Sequence, residues 1–302
     1  MKARKISLVI HGGAGPDNEF IRSHKEAYLD SLCSIFRCGY GALEKGRSAL
    51  YVVEHVVAML EDNPLFNAGH GAALNAKGDI EMDASIMDGR TRTSAAVCGL
   101  SLVRNPIKAA ELIRQKTDVL LVAGASADAL AEKLGASLEA NSYFLTPHRL
   151  KEWEALPLNQ LDPLTLGNRG TVGAVALDID GNLAAGTSTG GVSGKLPGRV
   201  SDSYIIGAGC YAENQTCAVS CTGDGEIMMR EFSALSISQA CCHTQHSLQM
   251  NCEAAVYRAR EKRGDIGVIA LNQKGEMGIA FNSERMMRAW CDASGNVITE
   301  IY

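Results

Sequence analysis

No stretch of the 302-residue chain reaches the roughly 18–20 consecutive apolar residues of a membrane helix, so no membrane partner is expected. The apolar run 8–10, behind basic Lys2, Arg4 and Lys5, ends at His11. That is too short for the apolar region of a signal peptide, and the expected location is the cytoplasm. An extended basic run is also missing. The 29 Lys and Arg face 34 Asp and Glu, a mildly acidic balance that sets nucleic acid aside as a partner. The sequence contains no internal repeat and no low-complexity segment.

Its ten cysteines lack the regular spacing of a small secreted scaffold and sit in apolar segments, which predicts buried, reduced thiols. The group Cys241, Cys242, His243 and His246 has no second Cys-x-x-Cys or His-x-x-x-His, and reads as a helix end rather than a zinc site. No Gly-Lys-Ser/Thr follows the glycines at 12, 13 and 15, which excludes a P-loop, and they do not match the dinucleotide fingerprint. Asp178-x-Asp180-Gly181 lacks the remaining ligands of a calcium loop.

The length suits one large domain or two ordinary ones. Residues 6–10 predict a buried strand that stops at the glycine turn 11–15. Helical spacing marks residues 23–45, and then 48–61 with Ser48 as N-cap, ending before Asn63-Pro64. Glu81 and Asp83 alternate with Ile80 and Met82 as in a strand with one polar face. A strand over 95–103, a helix begun by Asn105-Pro106, a short strand over 118–123 and a helix over 125–134 follow. From 141 to 169 the periodicity dissolves into polar, proline-punctuated sequence. Asp180-Gly181 predicts a two-residue hairpin turn, residues 226–240 a helix, and 266–271 with 277–281 a second hairpin. Strands come in blocks with helices between and before them, which argues against a regular βαβ array.

The stretch NRGTVGAVALDIDGNLAAGTSTGG, residues 168–191, carries the sharpest chemical signal. Thr171 opens an apolar strand, so its β-branched hydroxyl is held on a rigid element and aimed. Gly170 before it has no Cβ and leaves its carbonyl open to attack. If that bond is cut, Thr171 gains an α-amine of pKa roughly 7.7–8.0, a base for its own hydroxyl. The alternative is a plain strand start. Thr189 in GTSTGG and Thr222 in CTGDG also lie in glycine-rich settings at apparent strand ends. Arg199 and Asp202, three residues apart, suit the carboxylate and ammonium of an α-amino acid, or else form an exposed salt bridge. Asn67, between small residues, either orients a catalytic loop or serves a turn.

These residues, with HGGAG, LEDNPLFNAGHGAALN, EMDASIMDG, KLPGRVSDS and FNSERMMRAW, make the chain resemble the plant-type L-asparaginases, or isoaspartyl peptidases, of the N-terminal nucleophile hydrolases. The resemblance implies an α+β fold, a four-layer αββα sandwich, as one domain over 1–302. It implies autocleavage after Gly170 into an α chain 1–170 and a β chain 171–302, and a homodimer of αβ units. Thr171 matches the nucleophile, Thr189 its hydrogen-bond partner, Asn67 the asparagine behind it, and Thr222 with Gly223 the oxyanion hole. Arg199 and Asp202, with Gly225 nearby, match the substrate ligands. Main-chain carbonyls of Leu60, Glu61, Asn63, Phe66, Ala68 and His70 match a sodium loop, and no cofactor is implied for the chemistry. Substrates would be L-asparagine and β-aspartyl dipeptides. A glycosylasparaginase, or an uncleaved binder of aspartate-like ligands, are the alternative readings. Asp224, and Ser283, Arg285 and Met287 in place of the more usual Thr, Gly and Tyr, depart from the family pattern.

Overall fold

A computed structural model describes residues 5–156 and 170–302. The first strand, β1 (Ser7–Gly15), shows why the chain stacks in layers. Successive strand residues point to opposite faces. After the short α1 (Glu19–Ser23) come α2 (Lys25–Glu44), α3 (Ala49–Glu61) and α4 (Pro106–Lys116), with which Leu8 and Ile10 share a core, whereas Val9 joins a core shared with a second sheet. The same split recurs in β5 (Val172–Leu177), where Val172, Ala174 and Ala176 meet the helices and Val175 and Leu177 meet the other sheet.

The larger sheet has eight strands. Besides β1 and β5 it contains β2 (Met82–Asp88), β3 (Ser94–Leu100), β4 (Leu121–Ala123), β6 (Leu183–Thr189), β11 (Arg285–Cys291) and β12 (Val297–Glu300), in the order β12-β11-β1-β5-β6-β2-β3-β4. The smaller sheet is β10-β9-β8-β7, from β7 (Cys210–Ala212), β8 (Ala218–Gly223), β9 (Ile266–Leu271) and β10 (Met277–Phe281). On its far side Val219, Cys221 and Val268 pack with Ile237 of α8 (Ser233–His243) and Cys252 and Val256 of α9 (Leu248–Glu261). Helix, sheet, sheet and helix give the four αββα layers of an α+β fold. Strands β5 and β6 sit between β1 and β2, each hydrogen-bonded on both edges. A break before Thr171 therefore leaves the two parts interlocked through a continuous ladder. Among the described residues no helix is long and apolar enough to cross a membrane.

Local signals held where they were self-contained. The Ser48 side chain accepts the Tyr51 amide at the start of α3, and Pro106 opens α4. α5 (Ala125–Leu134) ends on left-handed Gly135. Elsewhere tertiary contacts overrode them. β1 does not stop at Ile10. It runs on through the glycines, paired with β11 after a register shift between His11 and Gly13, because the glycines allow an approach where a side chain would collide with Phe66 or with Gly170. The polar face of β2 is not solvated: Asp83 is buried and accepts the amides of Gly99 and Ser201, both at 2.9 Å.

Part of the expected irregular stretch is the helix α6 (Pro147–Glu154), capped by Thr146; residues 157–169 lie outside the described part. The helix expected over 226–240 breaks at Phe232 (φ 46°) into α7 (Gly225–Glu231) and α8. The 180–181 turn is wider than two residues, since Asp178 pairs with Asn182 and Gly181 takes φ 83°. Asp178 Oδ1 holds that turn, and its Oδ2 accepts the Ala49 amide at the head of α3.

Candidate active site

Strand register places the central pair. Val172 is opposite Ser188, so the next residues outward, Thr171 and Thr189, face each other across β5 and β6. By alternation both point toward the second sheet, as do Thr187 on β6 and His11 on β1, while Ser220 and Thr222 on β8 point back toward the larger sheet. The end of the inter-sheet core is thus polar where its middle is apolar. Thr171 Oγ1 donates to Thr189 Oγ1 at 3.2 Å, and Thr189 Oγ1 donates to the Gly170 carbonyl at 2.9 Å while accepting the Gly191 amide at 3.0 Å. One hydroxyl proton and two lone pairs are then all committed.

Asn67 completes the cage. Its Nδ2 donates to Gly170 O at 2.8 Å and Gly191 O at 2.7 Å, and its Oδ1 accepts the Ala73 amide at 2.8 Å, which fixes the orientation of the side-chain amide. Asn67 thus ties residues 73, 170 and 191 together rather than serving only its own turn. The Gly170 carbonyl therefore receives two donors, an arrangement that stabilises negative charge on its oxygen if its carbon is attacked. Gly13 (φ 114°) closes the other side: a methyl there would lie 3.1 Å from Gly170 Cα and 3.3 Å from Thr171 N.

Behind this cluster His11 Nε2 meets Ser220 Oγ at 2.8 Å, and Ser220 Oγ meets Thr187 Oγ1 at 2.7 Å, which donates to Gly209 O at 3.2 Å. Burial lowers the His11 pKa to about 3, so the imidazole is neutral. A Cβ on Gly173 would run into Ser220 Oγ, so this glycine lets the two sheets close. Thr222 Oγ1 accepts the Ala14 amide at 3.1 Å, next to Gly13, which brings the β8 end beside Thr171. Gly223 holds φ 118°, and a methyl there would strike Asp265 O.

The second cluster differs from its sequence reading. Arg199 does not form its ion pair with Asp202. Nε and Nη2 bind the Glu226 carboxylate at 2.8–3.0 Å, with Glu226 delivered by the first turn of α7. Asp202 is 2% exposed, and among the described residues its Oδ2 has no hydrogen-bond partner. Burial pushes its carboxyl up to about 7, against the pull of the Arg199 guanidinium. Gly225 lies between: a methyl there would sit 2.9 Å from Asp202 Oδ1 and 3.1 Å from Arg199 Nη2. A buried, undersatisfied carboxylate beside a guanidinium is an arrangement that can receive an ammonium and a carboxylate together.

The model of a family described as asparaginase matches residues 4–301. The chain belongs to the asparaginase family. It is 40% identical to the isoaspartyl peptidase of Escherichia coli (strain K12) over 99% of this chain and 96% of that one. It is 39% identical to the isoaspartyl peptidase/L-asparaginase of Xenopus laevis, over 93% and 91%. It is also 36% identical to the probable isoaspartyl peptidase/L-asparaginase 2 of Arabidopsis thaliana, over 96% of both.

In this asparaginase-family chain the structure joins Thr171, Thr189, Asn67 and Gly170 by direct hydrogen bonds, and gathers Arg199, Asp202 and Gly225 around one another. Sequence reasoning passed over Glu226, although it stands in the stretch CTGDGE. It also passed over Lys195, within KLPGRVSDS, whose buried ammonium donates to Glu81 O at 2.7 Å and whose stem packs on Gly191. Burial lowers the pKa of Lys195, with Asp83 pulling the other way. Asp224 is turned into the head of α7, where it accepts the Ile227 amide at 3.4 Å. Cys241 faces Cys217 at 3.9 Å, and among the described residues no group of three or more His, Cys, Asp or Glu converges as a metal site.

Proposed function

We propose that the chain is a self-processing hydrolase of the side-chain amide of L-asparagine and of β-aspartyl dipeptides, with Thr171 as nucleophile. The observation that carries this reading is the chain Thr171 Oγ1–Thr189 Oγ1–Gly170 O, with Asn67 as the second donor to that carbonyl. In self-processing, Thr171 Oγ attacks the Gly170 carbonyl carbon while Asn67 and Thr189 stabilise the oxyanion. The released α-amine then serves as base for the same hydroxyl. A substrate places its β-carbonyl at Thr171 with the oxyanion toward Thr222 and Gly223. Its α-carboxylate meets Arg199, steadied by Glu226, and its α-ammonium meets Asp202. Ammonia or an amine leaves, and water resolves the aspartyl ester.

Assays of ammonia release from L-asparagine and of leucine release from β-aspartyl-leucine test the reading. Activity on neither, after mass spectrometry has shown complete cleavage at Gly170, would overturn it.

A sodium ion at the loop 60–70 belongs to the same reading. A methyl on Gly71 would lie 2.7 Å from both the Pro64 and Phe66 carbonyl oxygens, and one on Gly69 would strike Glu61 O. Oxygens thus crowd a region kept free of side chains, a donor set that suits a hard cation. Pro64 was not among the expected carbonyls. Those of Leu60, Glu61 and Asn63 already accept amides from Asn63, His70 and Phe66. The bound ion would hold the loop that carries Asn67. The melting midpoint should be higher in sodium chloride than in choline chloride at equal ionic strength, and equal midpoints would refute the site. The resemblance further supports a dimer of αβ units, for which light scattering should read twice 32.1 kDa. A reading of 32.1 kDa would refute it.

A further inference from the structure

We propose that Arg149 and Arg285 form a carboxylate site behind the Gly170–Thr171 bond, built to receive the carboxylate that cutting this bond creates on Gly170. The inference rests on the self-processing reading above. A cavity of about 30 Å³ touches Gly170 and is lined on its far side by Arg149, Arg285, Tyr28 and His148. Arg149 and Arg285 are 8% and 5% exposed, which is unusual for guanidinium groups. Arg149 is balanced: Nε donates to Gly71 O at 2.7 Å and Nη1 to Glu152 Oε2 at 2.7 Å. Arg285 Nε donates to Pro16 O at 3.0 Å, and among the described residues no carboxylate lies within ion-pair distance of it.

Burial above all pushes the Arg285 pKa down, with Tyr28 and Asp17 pulling it up and the neighbouring Arg149 adding to the decrease, as expected for two cations sharing a small space. Tyr28, which feels both guanidinium groups, has its own hydroxyl committed to Leu65 O at 2.9 Å. Burial and Arg149 lower the His148 pKa, with Glu152 pulling the other way. Among the described residues Arg285 thus has a carbonyl but no paired carboxylate, a costly condition for a buried ion that an anion joining the two guanidinium groups would relieve.

Size and position suit a carboxylate of the chain itself. The cavity of about 30 Å³ has room for a carboxylate oxygen. Gly170 lies against it and becomes anionic on cleavage. Thr171 Oγ bonds to the Gly170 carbonyl carbon, the C–N bond breaks, and the hydroxyl proton passes to the amine. Water then adds to the ester and the C–Oγ bond breaks, leaving the Thr171 hydroxyl, the Gly170 carboxylate and one proton, which the amine takes up. While the bond is whole, Gly170 O occupies Asn67 Nδ2 and Thr189 Oγ1. Turning the new carboxylate toward the arginines frees both donors and clears Thr171 for substrate.

Carboxypeptidase trimming of fully cleaved protein, followed by the mass of the α chain, tests this. The wild-type α chain should keep its Gly170 end, Arg285→Met should be trimmed at least tenfold faster, and Arg285→Lys should stay protected. Equal trimming of wild type and Arg285→Met would overturn the site. So would a wild-type end trimmed as fast as a free peptide, whatever the variants do. A free leaving amino acid is the other source of a carboxylate. If Arg285→Met raises KM for β-aspartyl-leucine but not for asparagine, with trimming unchanged, the arginines serve that group and the proposal fails. An unbroken wild-type chain sinks the self-processing reading itself, and this site with it.

Discussion

Thr171→Ala protein is expected to remain one 302-residue chain after prolonged incubation at neutral pH and to release no leucine from β-aspartyl-leucine. The substitution removes the hydroxyl that donates to Thr189 Oγ1, while the two donors to Gly170 O, Asn67 Nδ2 and Thr189 Oγ1, stay in place. Oxyanion stabilisation without a nucleophile does not make a covalent intermediate, so the loss in kcat should reach at least about 10⁴-fold. Thr171→Ser should retain self-cleavage at a reduced rate, because serine keeps the oxygen but not the β-branch that limits χ1. Mass spectrometry reads both. Turnover by the alanine variant would remove Thr171 from the mechanism, and cleavage of its chain would remove it from self-processing.

The second large effect is a pH dependence seated on Asp202. Burial raises its carboxyl to about 7, so below that pH the free site is uncharged and holds no counter-charge for an ammonium. KM should therefore rise about tenfold for each pH unit below 7. Asp202→Asn should abolish that limb and raise KM at pH 8 by the equivalent of about 2–5 kcal/mol, the usual loss when one partner of a buried charge pair is removed. Titration of the Thr171 amine falls in a similar range but acts on kcat, which separates the two.

Stability should respond in the opposite sense. The folded carboxyl holds its proton to a higher pH than the unfolded one, whose ordinary value is 3.8. Stability from this group is thus present below about 4 and is lost as pH rises toward 7. At pH 8 the Asp202→Asn protein should melt at or above wild type despite its weaker binding. An Asp202→Asn protein with the same KM–pH profile as wild type would show that Asp202 does not bind substrate.

Much of the local architecture was legible because its causes are local. The Ser48 cap of α3, proline at the start of α4, glycine after α5 and the β9–β10 hairpin each depend on residues within a few positions of one another. What was misread depends on distant partners. β1 continues through its glycines because β11 pairs with it there, and Asp83 is buried because the amides of Gly99 and Ser201 close on it. α9 has a weak apolar stripe and was not anticipated; packing on the smaller sheet defines it.

The candidate site divides the same way. Residue types and their glycine-rich settings singled out Thr171, Thr189, Arg199, Asp202 and Thr222 from the sequence by itself, since a nucleophile on a strand and a pair of opposite charges are chemistry that spacing can express. Only the tertiary structure decided which groups those residues meet. The β5–β6 register set Thr171 against Thr189, α7 brought Glu226 rather than Asp202 to Arg199, and the meeting of α6 with β11 placed Arg149 and Arg285 in one cavity behind Gly170. Hydrogen bonds and ion pairs act over about 3 Å, and neighbours at that range from distant parts of the chain are chosen by packing.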